Sequence, residues 1–210
     1  MKVVHDDIQQ LLLKRNIFWD VQEIIKNNND LHKPSSFYSY LGDTYIAYIS
    51  IGIRRQIKVN NQSISFARLL SDMIDTPSVL SRKYYTSLYQ DSVVKDFADR
   101  DFDRFSGRGK NHISADMVCA DLRELNQASS KVEDFADKRI AHYDKRKPKV
   151  LPKFNEVDAC LDILDRLYVK YHLIFHAASM ETLMPTYQYD WQKIFEIPWL
   201  KRSEELDEDE

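Results

Sequence analysis

Glycine is scarce in this chain, with 4 among 210 residues, and proline adds only 6. So few turn-makers exclude a many-stranded β fold and leave long helices joined by short connections. Cysteine is nearly absent. Cys119 and Cys160 have no local pairing motif, which excludes a disulfide scaffold and a Cys-x-x-Cys site. Both are read as reduced core residues on apolar helix positions. Long hydrophobic runs are missing too: the longest nearly apolar stretch, Tyr45 to Ile53, is far too short to span a bilayer. The opening Met1-Lys2-Val3-Val4-His5-Asp6-Asp7 lacks the apolar core of a signal peptide. These absences read as a cytoplasmic protein with no membrane partner. There is no internal repeat and no Gly-x-Ser-x-Gly nucleophile setting.

What is present is bulky apolar material. Hydrophobic residues make up 43% of the chain, too many for a disordered one, and they include 12 tyrosines and 10 phenylalanines. The formal charge of -3 hides an asymmetry. The end, Ser203-Glu204-Glu205-Leu206-Asp207-Glu208-Asp209-Glu210, carries six of the acids, so the rest of the chain is mildly basic. Residues 201–210 read as a disordered acidic tail, as dense like charges do. Residues 1–200 read as one all-α bundle domain.

Hydrophobic periodicity places the elements. A first helix runs from about His5 to Asn27, with Ile8, Leu11, Leu12, Ile17, Val21 and Ile24 on its buried side. Ser35 or Ser36 caps a second helix lined by Leu41, Tyr45, Tyr48, Ile49 and Ile53. Ser63 caps Ile64 to Ile74, and Thr76-Pro77 opens another helix with proline in its first turn. Val93 to Phe105 is helical. Ser114 caps a helix carrying Met117, Leu122 and Leu125, and a shift near Ala128-Ser129-Ser130 separates it from the next. Pro148 and Pro152 mark a connection. The longest helix spans about Glu156 to Met180. Its seam of Val157, Leu161, Leu164, Tyr168, Tyr171, Phe175 and Ala178 repeats at alternate spacings of four and three. The aromatic stretch Tyr189 to Leu200 is read as capping the bundle or contacting a partner subunit.

The stretch with most chemistry is Ala136-Asp137-Lys138-Arg139-Ile140-Ala141-His142-Tyr143-Asp144. On a helix Lys138 and Arg139 share the face of His142, beside an apolar stripe of Val132, Ala136, Ile140 and Tyr143, while Asp137 points away. An imidazole there can act as general acid or base, and the two cations can hold a phosphate. The catalytic candidates are therefore His142, Arg139 and Lys138. A structural histidine on a solvated charged face is the other reading.

Asp137-Lys138-Arg139-Ile140-Ala141-His142 resembles the signature of the HEPN superfamily, in its abortive-infection branch of the U type. Gly52-Ile53-Arg54-Arg55-Gln56, Ser63 to Leu70, Asp99 to Phe105 and Tyr189-Asp190-Trp191 are similar to segments of the same group, from about Tyr38 to Leu200. The resemblance implies a HEPN-type helical bundle with additional helices, often a homodimer. It implies a role in bacterial anti-phage or toxin–antitoxin systems, binding or cleaving RNA. The family motif is an arginine, four to six residues, then a histidine. His142 matches the histidine, but positions 135 to 137 hold Phe135, Ala136 and Asp137, so the arginine is absent by spacing. Arg54 or Arg55 approaching from another helix would be a substitute. Two readings stand: a metal-independent endoribonuclease using the ribose 2′-OH, and a catalytically inactive module that binds RNA or a protein partner.

Other features carry less. Arg54, Arg55 and Lys58 form a basic helix end, with Arg68, Arg82, Lys83 and several tyrosines following, so Arg54 and Arg55 are RNA-binding candidates. Gly107-Arg108-Gly109-Lys110 could wrap a phosphate with backbone N–H groups, which adds Arg108 and Lys110. His172 and His176 are spaced for a metal, but no Asp or Glu stands between them and no third ligand is evident. They are read as a bundle flank, and neither a metal nor a cofactor is expected.

Overall fold

The computed structural model describes residues 1–89, 92–142, 144–148 and 150–199. The acidic tail expected at 201–210, and Tyr143 of the expected apolar stripe, lie outside the described residues. The architecture is all-α. Among the described residues seven α-helices carry it: α1 (Lys2–Asn27), α2 (Ser36–Ile57), α3 (Phe66–Asp75), α4 (Arg82–Ser87), α5 (Ser92–Ser106), α6 (Ala115–Phe135) and α7 (Phe154–His176). A π turn, Ala136–Ala141, extends α6, and short 3₁₀ turns occur at Asn29–Leu31, Pro77–Val79 and Trp191–Glu196. The one β pairing among the described residues is an isolated bridge between Ser81 and His112.

The side-chain register shows that α1, α2, α6 and α7 form an up-down-up-down bundle. Asp7 meets Arg55 at one end of the α1–α2 pair, and Phe18 stacks on Tyr45 at the other, ring centroids 3.9 Å apart. Lys58 pairs with Glu133 and Arg54 with Asp137, so α6 runs against α2. Lys170 with Asp121, Arg166 with Glu124 and Lys131 with Glu156 set α7 against α6. Arg15 with Asp162, and His5 edge-on to Tyr168, set α7 against α1. The seam of α7 holds the centre: Val157, Leu161, Leu164, Tyr168 and Tyr171 are all buried. Each apolar side chain removed from water there contributes about 1.5–3 kcal/mol. Asp121, nearly buried, accepts hydrogen bonds from Tyr171 Oη at 2.7 Å and Lys170 Nζ at 2.6 Å, so its charge is compensated.

Local chemistry explains the ends. Ser35 caps α2 by accepting from Phe37 N, and Ser114 caps α6 by accepting from Met117 N. α3 is capped by Ser65, not Ser63. Ser65 Oγ accepts from Arg68 N and donates to Lys58 O, while Gln56 Oε1 accepts from Phe66 N. These contacts with the end of α2 choose between two serines that look alike in sequence. Thr76-Pro77 opens only a 3₁₀ turn, and Ser81 caps the short α4. α6 is unbroken through Ala128-Ser129-Ser130. α7 stops at His176, short of Met180, because Ala177 turns left-handed at φ 51°. Ala177 packs against the small cluster of Tyr85, Ala98 and Phe102, which joins α4 to α5. Asp165 then accepts from Thr182 Oγ1 and Leu183 N and turns the chain back along α7.

Candidate functional site

The motif begins where α6 widens. From Ala136 to Ala141 the backbone closes i→i+5 rings, so the turn holds more residues than an α turn. Asp144 N then donates to Lys138 O at 3.1 Å. His142 has left the helix altogether, with extended dihedrals of φ −142° and ψ 145°. The expected sharing of one α-helical face by Lys138, Arg139 and His142 therefore fails, because the spacing argument assumed regular 3.6-residue turns. His142 is exposed and has no hydrogen-bond partner among the described residues.

The expected cations are drawn into ion pairs. Lys138 Nζ lies 2.5 Å from Asp134, and only 18% of its side chain is exposed. Asp137, expected to point away from His142, faces α2, where Arg54 Nε donates to it and Lys58 lies 3.4 Å away. Lys58 also lies 2.5 Å from Glu133. Desolvation works to raise the Asp137 carboxyl, but the Arg54 hydrogen bond and the Lys58 charge outweigh it and hold its pKa below the ordinary value. The Glu133 hydrogen bond raises Lys58 against desolvation. Arg54, Lys58 and Lys138 are thus matched by Asp137, Glu133 and Asp134. Arg139 is half-buried beside them.

Arg54 does approach the motif from another helix. It donates from Nε to the Asp137 carboxylate, so its guanidinium is engaged. Arg55 is engaged as well: Nη2 lies 2.5 Å and Nε 3.1 Å from the Asp7 carboxylate. Arg54, Arg55 and Lys58 line an open hollow of about 650 Å³ with the side chains of Asn60, Asn61 and Gln62.

Arg108 and Lys110 are not brought to this place. Their loop precedes α6, whereas the motif follows it, roughly 30 Å away along a helix of this length. Gly107 and Gly109 do turn left-handed, at φ 85° and 69°. The N–H groups they orient are already used: Gly107 N donates to Asp103 O, and Gly109 N to Asp103 Oδ1. Asp103 occupies the place a phosphate oxygen would take. The Arg82 hydrogen bond, then that of Gly109, lowers its pKa. Arg82 is spent on α5 and Tyr85 is fully buried, while Lys83 and Tyr84 are exposed, so only part of the basic–aromatic patch expected around them is internal. The His172 and His176 rings lie tilted to one another with centroids 4.7 Å apart, and no group of three metal-ligating side chains occurs among the described residues. Desolvation and then the His172 charge lower the pKa of His176.

One feature beside His142 was missed by sequence reasoning. Lys145-Arg146-Lys147-Pro148-Lys149 places four cations in five positions, a run visible in the sequence itself. Lys145, Arg146 and Lys147 are exposed. Arg146 Nη2 lies 2.8 Å from Asp144, and this hydrogen bond with that of Arg146 N pushes the Asp144 pKa down to about 2. Lys145 and Lys147 have no partner among the described residues. Farther along the loop, Val150 lies against α6, sharing a hollow with Ser130, Lys131 and Asp134.

Comparison with family models, with curated proteins and with solved structures finds no match to this chain. Among the described residues, no helix is long and apolar enough to cross a membrane.

Proposed function

We propose that this protein is a HEPN-like helical module that binds single-stranded RNA through the basic loop after His142 and does not cleave it. The observation that carries this reading is the distribution of charge. Arg54, Lys58 and Lys138 are paired with carboxylates, while Lys145 and Lys147 stand exposed beside an exposed His142. A cleavage site needs positive charge directed at the phosphate as it gains negative charge. Cations already held at 2.5 Å by carboxylates supply little of it. A mobile polyanion needs only exposed cations, and releases counterions on binding. The family resemblance supports RNA as the polyanion and phage defence or toxin–antitoxin control as the setting.

The experiment is incubation of a mixed RNA pool with the protein in EDTA, read both on a native gel and after denaturation. The expected result is RNA that is retarded on the native gel and intact after denaturation, with His142→Ala behaving like the wild type. Cleavage lost in His142→Ala would establish a metal-independent nuclease and refute the binding-only reading. RNA that is neither retarded nor cut would refute RNA binding.

A further inference from the structure

The end of α7 brings two imidazoles together. His172 and His176 stand four residues apart and share one helix face. Their ring centroids lie 4.7 Å apart, and the ring planes cross at 44°. A metal–nitrogen bond of about 2.0–2.1 Å puts an imidazole centroid about 3.2 Å from the ion, so two rings meeting one ion at about 90–110° have centroids about 4.5–5.2 Å apart. The observed separation falls inside that window. The backbone also fixes which nitrogen of His172 is free. Ala177 turns left-handed after α7, and the Ala178 carbonyl oxygen comes to 3.1 Å from His172 Nδ1. A carbonyl oxygen only accepts, so Nδ1 carries the proton, and in the neutral ring Nε2 keeps its lone pair. Metal-binding histidines are oriented in this way, with the second N–H donating to a carbonyl or carboxylate. The Tyr168 ring packs beside His172 with centroids 6.1 Å apart. His172 is half-buried and His176 exposed, so an ion reaches the pair from solvent.

We propose that His172 and His176 chelate a first-row divalent transition-metal ion, through Nε2 of His172 and a ring nitrogen of His176. Spacing alone spoke against a metal because it offered no third ligand. The geometry adds what spacing lacks, a fixed tautomer and two rings at chelating distance. Among the described residues no third His, Cys, Asp or Glu joins the pair, so the remaining positions fall to water or to a donor on a bound molecule. Such a site is open, and weaker than the closed four-ligand sites that hold structural zinc. Its advantage over a single histidine is chelation: once one ring is bound, the second meets the ion as an intramolecular ligand. Two imidazole donors select Cu²⁺ over Ni²⁺ and Zn²⁺, and reject Mg²⁺ and Ca²⁺, which take oxygen. The ion ties down the turn where α7 meets α4 and α5. There Tyr84 Oη donates to Phe175 O at 3.0 Å, and Ala177 packs on Tyr85, Ala98 and Phe102. The pair lies roughly 30 Å along α7 from the end that the His142 loop leads into, so the proposal does not depend on the RNA reading.

The test is isothermal titration calorimetry of the full chain, free of any histidine tag, with Cu²⁺, Zn²⁺ and Mg²⁺ in turn. The expected result is one Cu²⁺ per chain, Zn²⁺ more weakly at the same place, and no Mg²⁺ binding at up to about 1 mM. His172→Gln and His176→Gln should each weaken Cu²⁺ binding by more than the roughly 10–100-fold that losing an outer-shell partner costs. Helical circular dichroism should stay unchanged, and His112→Gln, at an exposed histidine outside the pair, should bind as the wild type does. Nitrogen-15 NMR of the histidine rings in mildly alkaline solution should show metal-free His172 protonated on Nδ1, with Zn²⁺ shifting its Nε2. A chain that binds neither Cu²⁺ nor Zn²⁺ overturns the proposal. Binding that survives both substitutions in folded protein overturns it too, because the ion then sits elsewhere, and so does a His172 protonated on Nε2.

Discussion

Replacing Gly52 by alanine puts a methyl group where α1 and α2 come closest. A Cβ built there lies 2.2 Å from Leu11 Cδ2 and 3.0 Å from Leu11 Cδ1. Leu11 is fully buried, so its side chain has little room to turn aside. Two effects oppose each other. Alanine gains about 1 kcal/mol over glycine inside a helix, whereas overfilling a packed core costs about 1–3 kcal/mol. The clash is severe and enclosed, so the net expectation is a loss of roughly 1–2 kcal/mol. Leu11→Ala alone should cost about 2–5 kcal/mol through the cavity it leaves. The two changes should then couple with a reversal of sign. In the Leu11→Ala background the obstruction is gone, and Gly52→Ala should stabilise by about 1 kcal/mol. Urea unfolding of the four proteins, followed by circular dichroism at constant m-value, measures the cycle. A Gly52→Ala protein more stable than wild type would refute the close approach. The consequence reaches the site, because Arg54 lies half a turn farther along α2 and meets Asp137 only if α2 keeps this position.

The other predictions concern the carboxylates and the buried thiol. The Asp137 pKa is lowered in the fold, so its contribution to stability is present above the ordinary value of 3.8 and is lost as pH falls through the lower folded value. Melting temperatures of wild type and Asp137→Asn should therefore differ from pH 5 to 8 and converge on acidification, and a difference that persisted in acid would contradict this. Asp158 accepts from Tyr45 Oη at 2.5 Å and from Trp19 Nε1 at 2.8 Å, linking three helices. Asp158→Ala should cost about 2 kcal/mol by thermal or urea unfolding, chiefly by stranding the buried Tyr45 hydroxyl; no change would show that water replaces the carboxylate. Burial pushes the Cys160 thiol up to about 11. A thiol reagent at pH 8 should modify Cys160 only at the rate of unfolding, whereas prompt modification would show an opened core.

Side-chain spacing made the long helices legible. The alternation of threes and fours from Val157 to Tyr171 identifies the buried seam of α7, because a helix that packs on three neighbours must keep one stripe apolar. The same rule cannot say what covers a stripe. Tyr48 has the spacing of a core residue, yet it is exposed, since amphipathicity does not say how much of a stripe is covered. Tertiary choices were equally hidden: Ser65 displaces Ser63 as the cap of α3 through contacts with Gln56 and Lys58, and α7 ends at Ala177 with no glycine to announce it. At the motif, counting by regular turns misplaced His142, because nothing local marks a π turn. Where Asp137 points, once away from His142, was not legible, because its partners, Arg54 and Lys58, lie about eighty residues away in the chain. The run from Lys145 to Lys149 was readable throughout and was passed over for the motif beside it.

The salt dependence of RNA binding tests the central claim most directly. Fluorescence anisotropy with a single-stranded oligonucleotide, repeated across salt concentrations, yields a slope that counts the phosphates neutralised. Each phosphate neutralised on single-stranded RNA contributes about 0.7 to the slope of log K against log salt. Replacing Lys145 and Lys147 by glutamine should lower the magnitude of the slope by about 1.4 and weaken binding at low salt. Replacing Arg108 and Lys110, roughly 30 Å from the motif along α6, should change neither. A slope unaltered by the loop substitutions would contradict the account and move the RNA-binding surface away from the His142 loop.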